Sequence, residues 1–293
     1  MDLTVQRGMR CDLHVHTRHS GMCNIPVISR ICRECYNDPL EVYDALKRRG
    51  MDLVTVTDHD SIDAAEHLRH YPDFFLSEEV TCTTPSGTEI HVGVYGIEER
   101  HHLDLQRRRN DVPSLTAYLR EQRLFFSINH VFSSLTGART NFDFDLFEEE
   151  FPAIETLNGH IPQANNRSAR RLARTWRKAA VGGSDAHTLG PLGLTYTHVP
   201  AASSIPEFLL GLRQGRGRPM GQAGDYLKLT RSVLEIGLAL MHEKTWTAVM
   251  APLLLLIPPI TLGNYVCEFW FDQKWSRWLW ENEPQLIPES IAD

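Results

Sequence analysis

The sequence predicts an α/β fold in which a parallel sheet closes into a barrel and is followed by an apolar helical extension. Predicted strands and helices alternate through the first two thirds of the 293 residues, which is typical of a parallel sheet. Polar side chains also recur directly after several predicted strands, at His59, His130, Asn158, Asp185 and His187. A closed barrel gathers the carboxyl ends of its strands on one face, whereas an open sheet brings together only a few of them. The second observation therefore favours a barrel.

The predicted elements follow one another from the amino terminus. A strand over 9–15 precedes a helix that begins with Asp38 as its N-cap and Pro39 in its first turn and ends at Gly50. An apolar, β-branched run predicts a second strand over 53–57. The later predicted strands cover 91–95, 124–128, 154–157 and 179–183, and the later predicted helices cover 113–123, 141–151, 164–178 and 204–215.

The composition changes near residue 222, which predicts a barrel domain over 1–222 and an extension over 223–293. Within the extension, 225–243 is predicted to be helical, and 245–267 contains no charged residue. This run meets the length of about 18 residues that a membrane span requires. Three prolines interrupt it, however, and no cluster of Lys or Arg flanks it.

Two alternatives remain open for the extension. It packs on the barrel or on a partner protein, or it enters a membrane. The stretch 269–280 is rich in tryptophan, which suits an interface of either kind. We therefore predict a membrane or protein contact through residues 245–280.

The overall composition argues against some functional classes. The formal net charge is −7 and no basic tract dominates, so the chain gives no strong signal for nucleic-acid binding. Six cysteines form no dense framework, and the first residues lack an apolar leader, which together predict a cytoplasmic protein or one held at a membrane by its extension. Cys32 and Cys35 form a lone CxxC pair, which is a weak zinc signal.

Histidines and carboxylates form the main chemical pattern. In DLHVHT, the two-residue spacing on a strand places the imidazoles of His14 and His16 on one face. Neutral imidazole and carboxylate are the usual ligands of Zn²⁺, Mn²⁺ and Fe²⁺. A single histidine at a strand end is more often an ordinary hydrogen-bonded group, but a set of such groups favours a metal centre. The candidate ligands are His14, His16, His59, Glu79, His91, His130, Asp185 and His187.

The order of these motifs resembles that of the PHP (polymerase and histidinol phosphatase) family. The motifs are DLHVHT with a following serine, TDHD, SEEVT, HVGVYG, NH and GSDAH, and they extend over about residues 9–220. Together they are specific, whereas each alone is not. The resemblance implies a distorted (β/α)₇ barrel similar to that of the amidohydrolases. It also implies two or three bound divalent metals and, in most members, hydrolysis of phosphoesters.

The resemblance also implies how the ligands are shared. His14, His16, Glu79 and Asp185 would hold one metal, and Glu79 would bridge to a second metal held by His91 and His130. His59 and His187 would serve a third. Glu78 is the weaker candidate of the acidic pair, because Glu79-Val80-Thr81 aligns better with the family's Glu-Ile-Ser pattern. Adjacent strand residues face opposite ways, so only one of the two is expected to point inward.

The chain departs from the family pattern directly after Ser20. The family usually has an aspartate there, or a histidine one residue further, whereas this chain has Gly21 and Met22. Substitutes could come from His19, Asp60 or Cys23. We therefore predict two tightly bound divalent metals (Mn, Zn or Fe) and at most a weaker third.

The implied activity is hydrolysis of a phosphoester by a metal-activated water. The substrate would be a small phosphomonoester, a nucleotide or the end of a short oligonucleotide. The predicted catalytic residues are Asp185, His59, His187 and Arg139. The predicted substrate-binding residues are Arg139, Arg18 and Asn158. A guanidinium matches phosphate bidentately, and Asn158 could bind substrate or position a ligand.

Two other functions remain open at this stage. One is a metal hydrolase of the amidohydrolase kind that cleaves C–N or C–O bonds. The other is a non-catalytic barrel, stabilised by metal, that uses the apolar extension to hold a partner.

Overall fold

The strands of the computed structural model, which describes residues 8–26 and 28–282, form two separate sheets. In chain order the strands are β1 (Gly8–Cys11), β2 (Ser77–Thr83), β3 (Glu89–Tyr95), β4 (Phe125–Ile128), β5 (Ala153–Asn158), β6 (Ala179–Gly183), β7 (Thr195–Pro200) and β8 (Arg218–Gly221). One sheet has the order β2-β3-β4-β5-β6 and the other has the order β1-β7-β8. The α/β class is confirmed, but these sheets do not close into a barrel.

The large sheet is mixed rather than parallel. β2, β3 and β4 pair antiparallel, whereas β4, β5 and β6 pair parallel. A short turn joins β2 to β3, in which the Thr84 amide donates to the Thr88 carbonyl at 2.8 Å. So short a connection leaves no room for the crossover helix that a parallel pair needs. The prediction of a wholly parallel sheet is therefore wrong at this end.

Parts of the strands predicted over 9–15 and 53–57 make only isolated bridges in the described part of the chain. In the stretch 12–16, which follows β1, Val15 bridges Ala186. In the stretch 54–59, His59 bridges Glu79. Their side chains take backbone bonds that a regular ladder would use. The Asp12 carboxylate accepts from the Ser184 amide at 2.8 Å, and the Val15 amide donates to the Thr57 hydroxyl at 3.0 Å. The stretch 12–16 thus lies between the end of β6 and 54–59.

All the predicted helices are present, together with two that were not predicted, Ala65–Leu68 and Glu99–Arg108. They are α1 (Pro39–Arg48), α2 (Ala65–Leu68), α3 (Glu99–Arg108), α4 (Val112–Glu121), α5 (Asn141–Glu150), α6 (Gln163–Thr175), α7 (Ile205–Arg213), α8 (Tyr226–Glu243) and α9 (Ile257–Asn282), and a 3₁₀ helix covers Thr245–Leu256. Asp38 caps α1 by accepting from the Leu40 amide at 2.9 Å. Gly50 follows α1 with φ of 78°, a conformation that favours glycine.

The second half of α9 belongs to the main hydrophobic core. Trp275 and Leu279 are buried there with residues of α4, α5 and α6. The buried Glu268 accepts hydrogen bonds from the Ser134 amide at 2.8 Å and from the Asn165 side chain at 3.2 Å. This part of the extension therefore packs on the α/β domain.

The earlier part of the extension is exposed and apolar. The stretch Thr245–Glu281 contains a window of mean hydropathy 1.7 that is long and apolar enough to cross a membrane, and 11% of that window is buried. Val249 is 79% exposed and Leu255 is 80% exposed. Length and composition are the grounds for this assignment, so the membrane or protein contact stays a prediction.

Candidate metal centre

The eight predicted ligands converge on one site. His14 and His16 come from 12–16, and His59 ends the stretch 54–59. Glu79 and His91 lie on the neighbouring strands β2 and β3, two register positions apart. The remaining ligands follow strands: His130 comes after β4, and Asp185 and His187 come after β6.

The Glu79 carboxylate lies at the centre of this site and is fully buried. The Glu79 Oε2 atom lies 3.0 Å from His14 Nε2, 3.3 Å from His16 Nε2 and 3.5 Å from His59 Nδ1. The Glu79 Oε1 atom lies 3.5 Å from His91 Nδ1 and from His130 Nε2. One carboxylate thus faces two groups of imidazoles through its two oxygens, as a bridging ligand does.

Asp185 supplies a second carboxylate to the same side of the site as His14 and His16. Its Oδ1 atom lies 3.4 Å from His16 Nε2 and 3.5 Å from His14 Nε2. The backbone of Asp185 has φ of 52°, a conformation that costs free energy and is found most often at functional sites.

The donor set fits divalent metal ions. The Nε2 atoms of His16 and His187 and the Nδ1 atoms of His59 and His91 are buried without a hydrogen-bond partner among the described residues. Ligand atoms about 2.1 Å from one tetrahedral ion lie roughly 3.4 Å apart, close to the spacings found here. Among the described residues, four groups have ligand atoms that all lie within 4.8 Å of one another: His14/His16/Asp185, His14/Glu79/His130, His59/Glu79/His91 and His16/His59/His187.

The charges within the site shift the pKa values of its residues in the direction opposite to that of burial. Burial alone would lower the pKa of His16, but Asp185 and Glu79 outweigh it and raise that pKa to about 9. In the same way, Glu79 raises the pKa of the buried His91 to about 10. Burial raises the pKa of Glu79, but His14, His59 and His91 hold it well below its usual value. The metal-free site therefore pairs ionised carboxylates with the protonated imidazoles of His16 and His91, whereas burial lowers the pKa of His59 to about 3 and leaves that ring neutral.

We expect metal binding to release protons, because an imidazole must be neutral to bind a metal. At pH 7.5 His16 and His91 carry protons in the metal-free chain, since their pKa values lie above that pH. Binding should thus release about two protons from these groups, and affinity should rise with pH up to about 10. Calorimetric titration with Mn²⁺ in buffers of different ionisation enthalpy measures this release. Heats that do not depend on the buffer would contradict it.

Glu155 is a functional residue that the sequence analysis missed. It lies on β5, where its Oε1 atom is 2.8 Å from His14 Nδ1 and its Oε2 atom accepts from the His130 amide at 3.0 Å. A carboxylate inside the apolar run AIETL was the available signal. Glu155 orients His14 through Nδ1, the ring nitrogen opposite the one that faces Glu79. Such partners fix the ring and raise the basicity of the ligand.

Replacing Glu155 by Gln should weaken metal affinity or activity by about 10–100-fold, as the loss of an orienting carboxylate usually does. The amide keeps the shape of the side chain but removes its charge. Manganese affinity and turnover number should be compared with those of the wild type, with circular dichroism as a check on folding. Unchanged values for both would show that Glu155 does not position His14.

The contacts of Asn158 favour the second of the two roles predicted for it, which is to position a ligand. Its Nδ2 atom donates to Asp185 Oδ2 and to Glu155 Oε2, both at 3.0 Å. Its Oδ1 atom accepts from the backbone amides of His160 and Ile161. These bonds occupy the polar groups of the side chain, so it holds Asp185 in place.

The two predicted phosphate-binding arginines do not join the ligands. Arg139 is 4% exposed, and it donates to the Glu89 carbonyl at 3.0 Å and to the Thr136 hydroxyl at 2.6 Å. Arg18 is paired with Asp38 at 3.1 Å on the surface. Both side chains thus contact other protein groups, and neither contacts a metal ligand in these bonds. The sequence could not show this, because the position of a long side chain in a loop does not fix the direction in which it points.

Glu78 faces away from the site, as the alternation along β2 predicts. Its Oε2 atom lies 2.8 Å from His102 Nδ1, and its Oε1 atom accepts from the Gln106 amide at 2.6 Å. Both partners belong to α3. Two adjacent glutamates therefore serve opposite faces of one strand.

A second missed residue is Glu34, in the loop between the DLHVHT motif and α1. Its Oε1 atom lies 3.7 Å from His59 Nε2 and 3.6 Å from His187 Nε2. Burial would raise the pKa of Glu34, but His187 and His59 lower it to about 2. The carboxylate is therefore ionised at neutral pH.

Comparisons with known proteins agree with this picture. A family model described as PHP-associated matches residues 163–216. No curated protein sequence matches the chain significantly. The resemblance to the PHP family predicted from the motifs is confirmed by the match to the family model.

Two solved structures share the fold. PsfC from Pseudomonas syringae PB-5123 is 18% identical, with a TM-score of 0.55 over 80% of this chain and 98% of PsfC. The lesion-specific endonuclease PfuEndoQ from Pyrococcus furiosus is 14% identical, with a TM-score of 0.50 over 73% of this chain and 58% of the endonuclease. At sequence identities this low, the structural similarity shows a shared fold alone.

Proposed function

We propose that this chain, which resembles the PHP family, is a metal-dependent phosphoesterase. The observation that carries the proposal is the convergence of six histidines around the Glu79 and Asp185 carboxylates at one edge of the sheet. When bound, two or more divalent ions would lower the pKa of a water toward neutrality and neutralise charge on a phosphoryl group.

The chain's own residues divide the remaining tasks. Glu79 and Asp185 provide the negative charge that holds the metals, with Glu79 facing both halves of the site. Glu155 and Asn158 fix the orientation of His14 and Asp185. His59 and His187 lie on the more open side, with side chains 13% and 16% exposed. They therefore border the side of the site that is open to a leaving alcohol, where they would hold a metal that supplies Lewis-acid stabilisation of its charge.

A cleft next to Thr188, which follows His187, has the volume of a small-molecule site. Its volume is about 370 Å³, and α8 forms its other wall. Small-molecule sites commonly have volumes of about 300–1,000 Å³. The cations of the cleft are engaged within the chain, since Arg231 pairs with Glu235 at 2.7 Å and Lys228 donates to two backbone carbonyls. The cleft therefore supplies no residue for phosphate recognition.

A substrate panel tests the proposal. The full-length chain, loaded with Mn²⁺, should be assayed on phosphomonoesters, nucleotides, 5′-phosphorylated oligonucleotides and phosphodiesters, and in parallel on amides and lactones. We expect turnover of at least one phosphoester that depends on Mn²⁺. Hydrolysis of amides or lactones alone would overturn the proposal in favour of amidohydrolase chemistry. No turnover of any substrate by the metal-loaded chain would overturn it in favour of a scaffold.

A further inference from the structure

The hairpin between the DLHVHT motif and α1 returns its far end to the metal site. Met22 and Arg33 form an antiparallel bridge, and the Cys23 amide donates to the Cys32 carbonyl at 3.1 Å. The Glu34 amide donates to the Gly21 carbonyl at 3.2 Å. Glu34 therefore lies next to the position after Ser20 where the PHP pattern has its missing acidic ligand.

The Glu34 side chain faces the Nε2 atoms of two imidazoles, whose Nδ1 atoms lie toward Glu79 and Asp185. Its Oε1 atom lies 3.6 Å from His187 Nε2 and 3.7 Å from His59 Nε2. These distances are too long for hydrogen bonds. They are close to the separation of roughly 3.4 Å between ligands that share one tetrahedral ion.

The imidazole of His187 is oriented toward Glu34 by its own backbone contact. Its Nδ1 atom lies 3.0 Å from the Asp185 carbonyl oxygen, so the Nε2 atom is left to face the carboxylate. That Nε2 atom is buried without a hydrogen-bond partner. A buried nitrogen of this kind is costly unless a ligand satisfies it.

We propose that Glu34 is the carboxylate ligand of a third divalent metal, which it holds together with His59 and His187. This inference deepens the proposed function and rests on it. It also replaces the expectation of a weak third metal, because the chain itself supplies three ligands for that ion before any substrate is bound.

Of the substitutes considered from the sequence, Asp60 is engaged elsewhere, since it forms an ion pair with Arg109 at 2.7 Å and accepts from the Thr81 amide at 3.0 Å. The His19 ring lies 5.8 Å from that of His67, whereas Glu34 Oε1 lies within 3.7 Å of both His59 and His187. Glu34 is thus the substitute whose side chain the structure directs at His59 and His187.

The carboxyl end of α8 holds the hairpin in place. Arg33 Nε lies 2.9 Å from Glu243 Oε1, and Lys244 Nζ donates to the Ile31 carbonyl at 2.7 Å. The uncharged run over 245–267 therefore begins directly after the residues that anchor the segment carrying Glu34. This contact explains how a long loop can present a metal ligand in a fixed position.

The number of metals per chain tests the inference. The full-length protein should be saturated with Mn²⁺ and desalted, and its metal content measured by elemental analysis. We expect three equivalents for the wild type and two for Glu34→Gln, with affinity for a third ion weakened by about 100-fold or more, since even an indirect partner of a ligand is worth 10–100-fold. Glu41→Gln, an exposed change on α1, should keep three.

A second variant protects the result against a folding artefact. His187→Gln removes a different ligand of the same proposed site and should also leave two equivalents. Anomalous scattering from crystals of the wild type should place an ion among Glu34, His59 and His187. Three equivalents in Glu34→Gln, or two in the wild type, would overturn the inference.

The outcomes also separate this inference from the proposed function. Three metals without phosphoester turnover would leave the assignment of Glu34 intact and overturn the proposed activity. Turnover with two metals in both the wild type and Glu34→Gln would overturn the role of Glu34 and leave the proposed activity intact.

Discussion

Replacing Glu79 by Gln is expected to lower phosphoesterase turnover by about 10³-fold or more and to reduce the number of bound metals. The carboxylate faces both groups of imidazoles, so replacing it with a neutral amide removes a negatively charged ligand from two metal ions at once. Charge stabilisation by metals is worth several kcal/mol, and about 4 kcal/mol corresponds to that factor. Turnover number and metal content should be measured on the same Mn²⁺-loaded preparation.

Glu78→Gln is the matched control for this experiment. The neighbouring glutamate lies on the same strand and is equally buried, but it contacts His102 and Gln106 on the other face. We expect this variant to keep its metals and its turnover to within a few-fold. Equal losses in both variants would mean that damage to β2, and not loss of a bridging ligand, explains the effect at Glu79.

Replacing Trp275 by Ala should lower the free energy of unfolding by about 3–5 kcal/mol, the cost usual for a buried tryptophan. The side chain is 4% exposed, and its ring lies 5.5 Å from that of Phe144 and 6.0 Å from that of Trp278. Removing it leaves a cavity between α9 and α5. Denaturant unfolding followed by circular dichroism measures the change.

Trp270→Ala provides the comparison on the same helix. Trp270 is 65% exposed, so its loss should change stability by about 0.5 kcal/mol or less, as surface substitutions usually do. Similar stability of both variants would show that α9 is not docked on the core. The docking also means that removing everything after Gly221 would uncover core residues, so point substitutions on exposed positions such as Val249 test membrane contact more cleanly.

The sequence by itself determined the local elements and the chemistry. Asp38 with Pro39 and Gly50 marked both ends of α1, because caps and left-handed positions are decided by a few neighbouring residues. The ordered motifs indicated the candidate ligands because the spacing on a strand and the position after a strand are local properties. The alternation along β2 meant that only one of Glu78 and Glu79 could face the site, since successive side chains point to opposite faces, and the resemblance to the family pattern indicated Glu79.

The tertiary structure decided what depends on distant parts of the chain. The sheets stay separate because Asp12 and Thr57 engage backbone groups that strands would pair, and no local pattern announces that competition. Arg139 turned out to support Glu89 and Thr136, since a long flexible side chain follows its surroundings. Glu34 reached the site through a hairpin anchored by α8, and Glu155 reached it from β5. Their roles follow from contacts between segments far apart in sequence, which the spacing within a motif cannot encode.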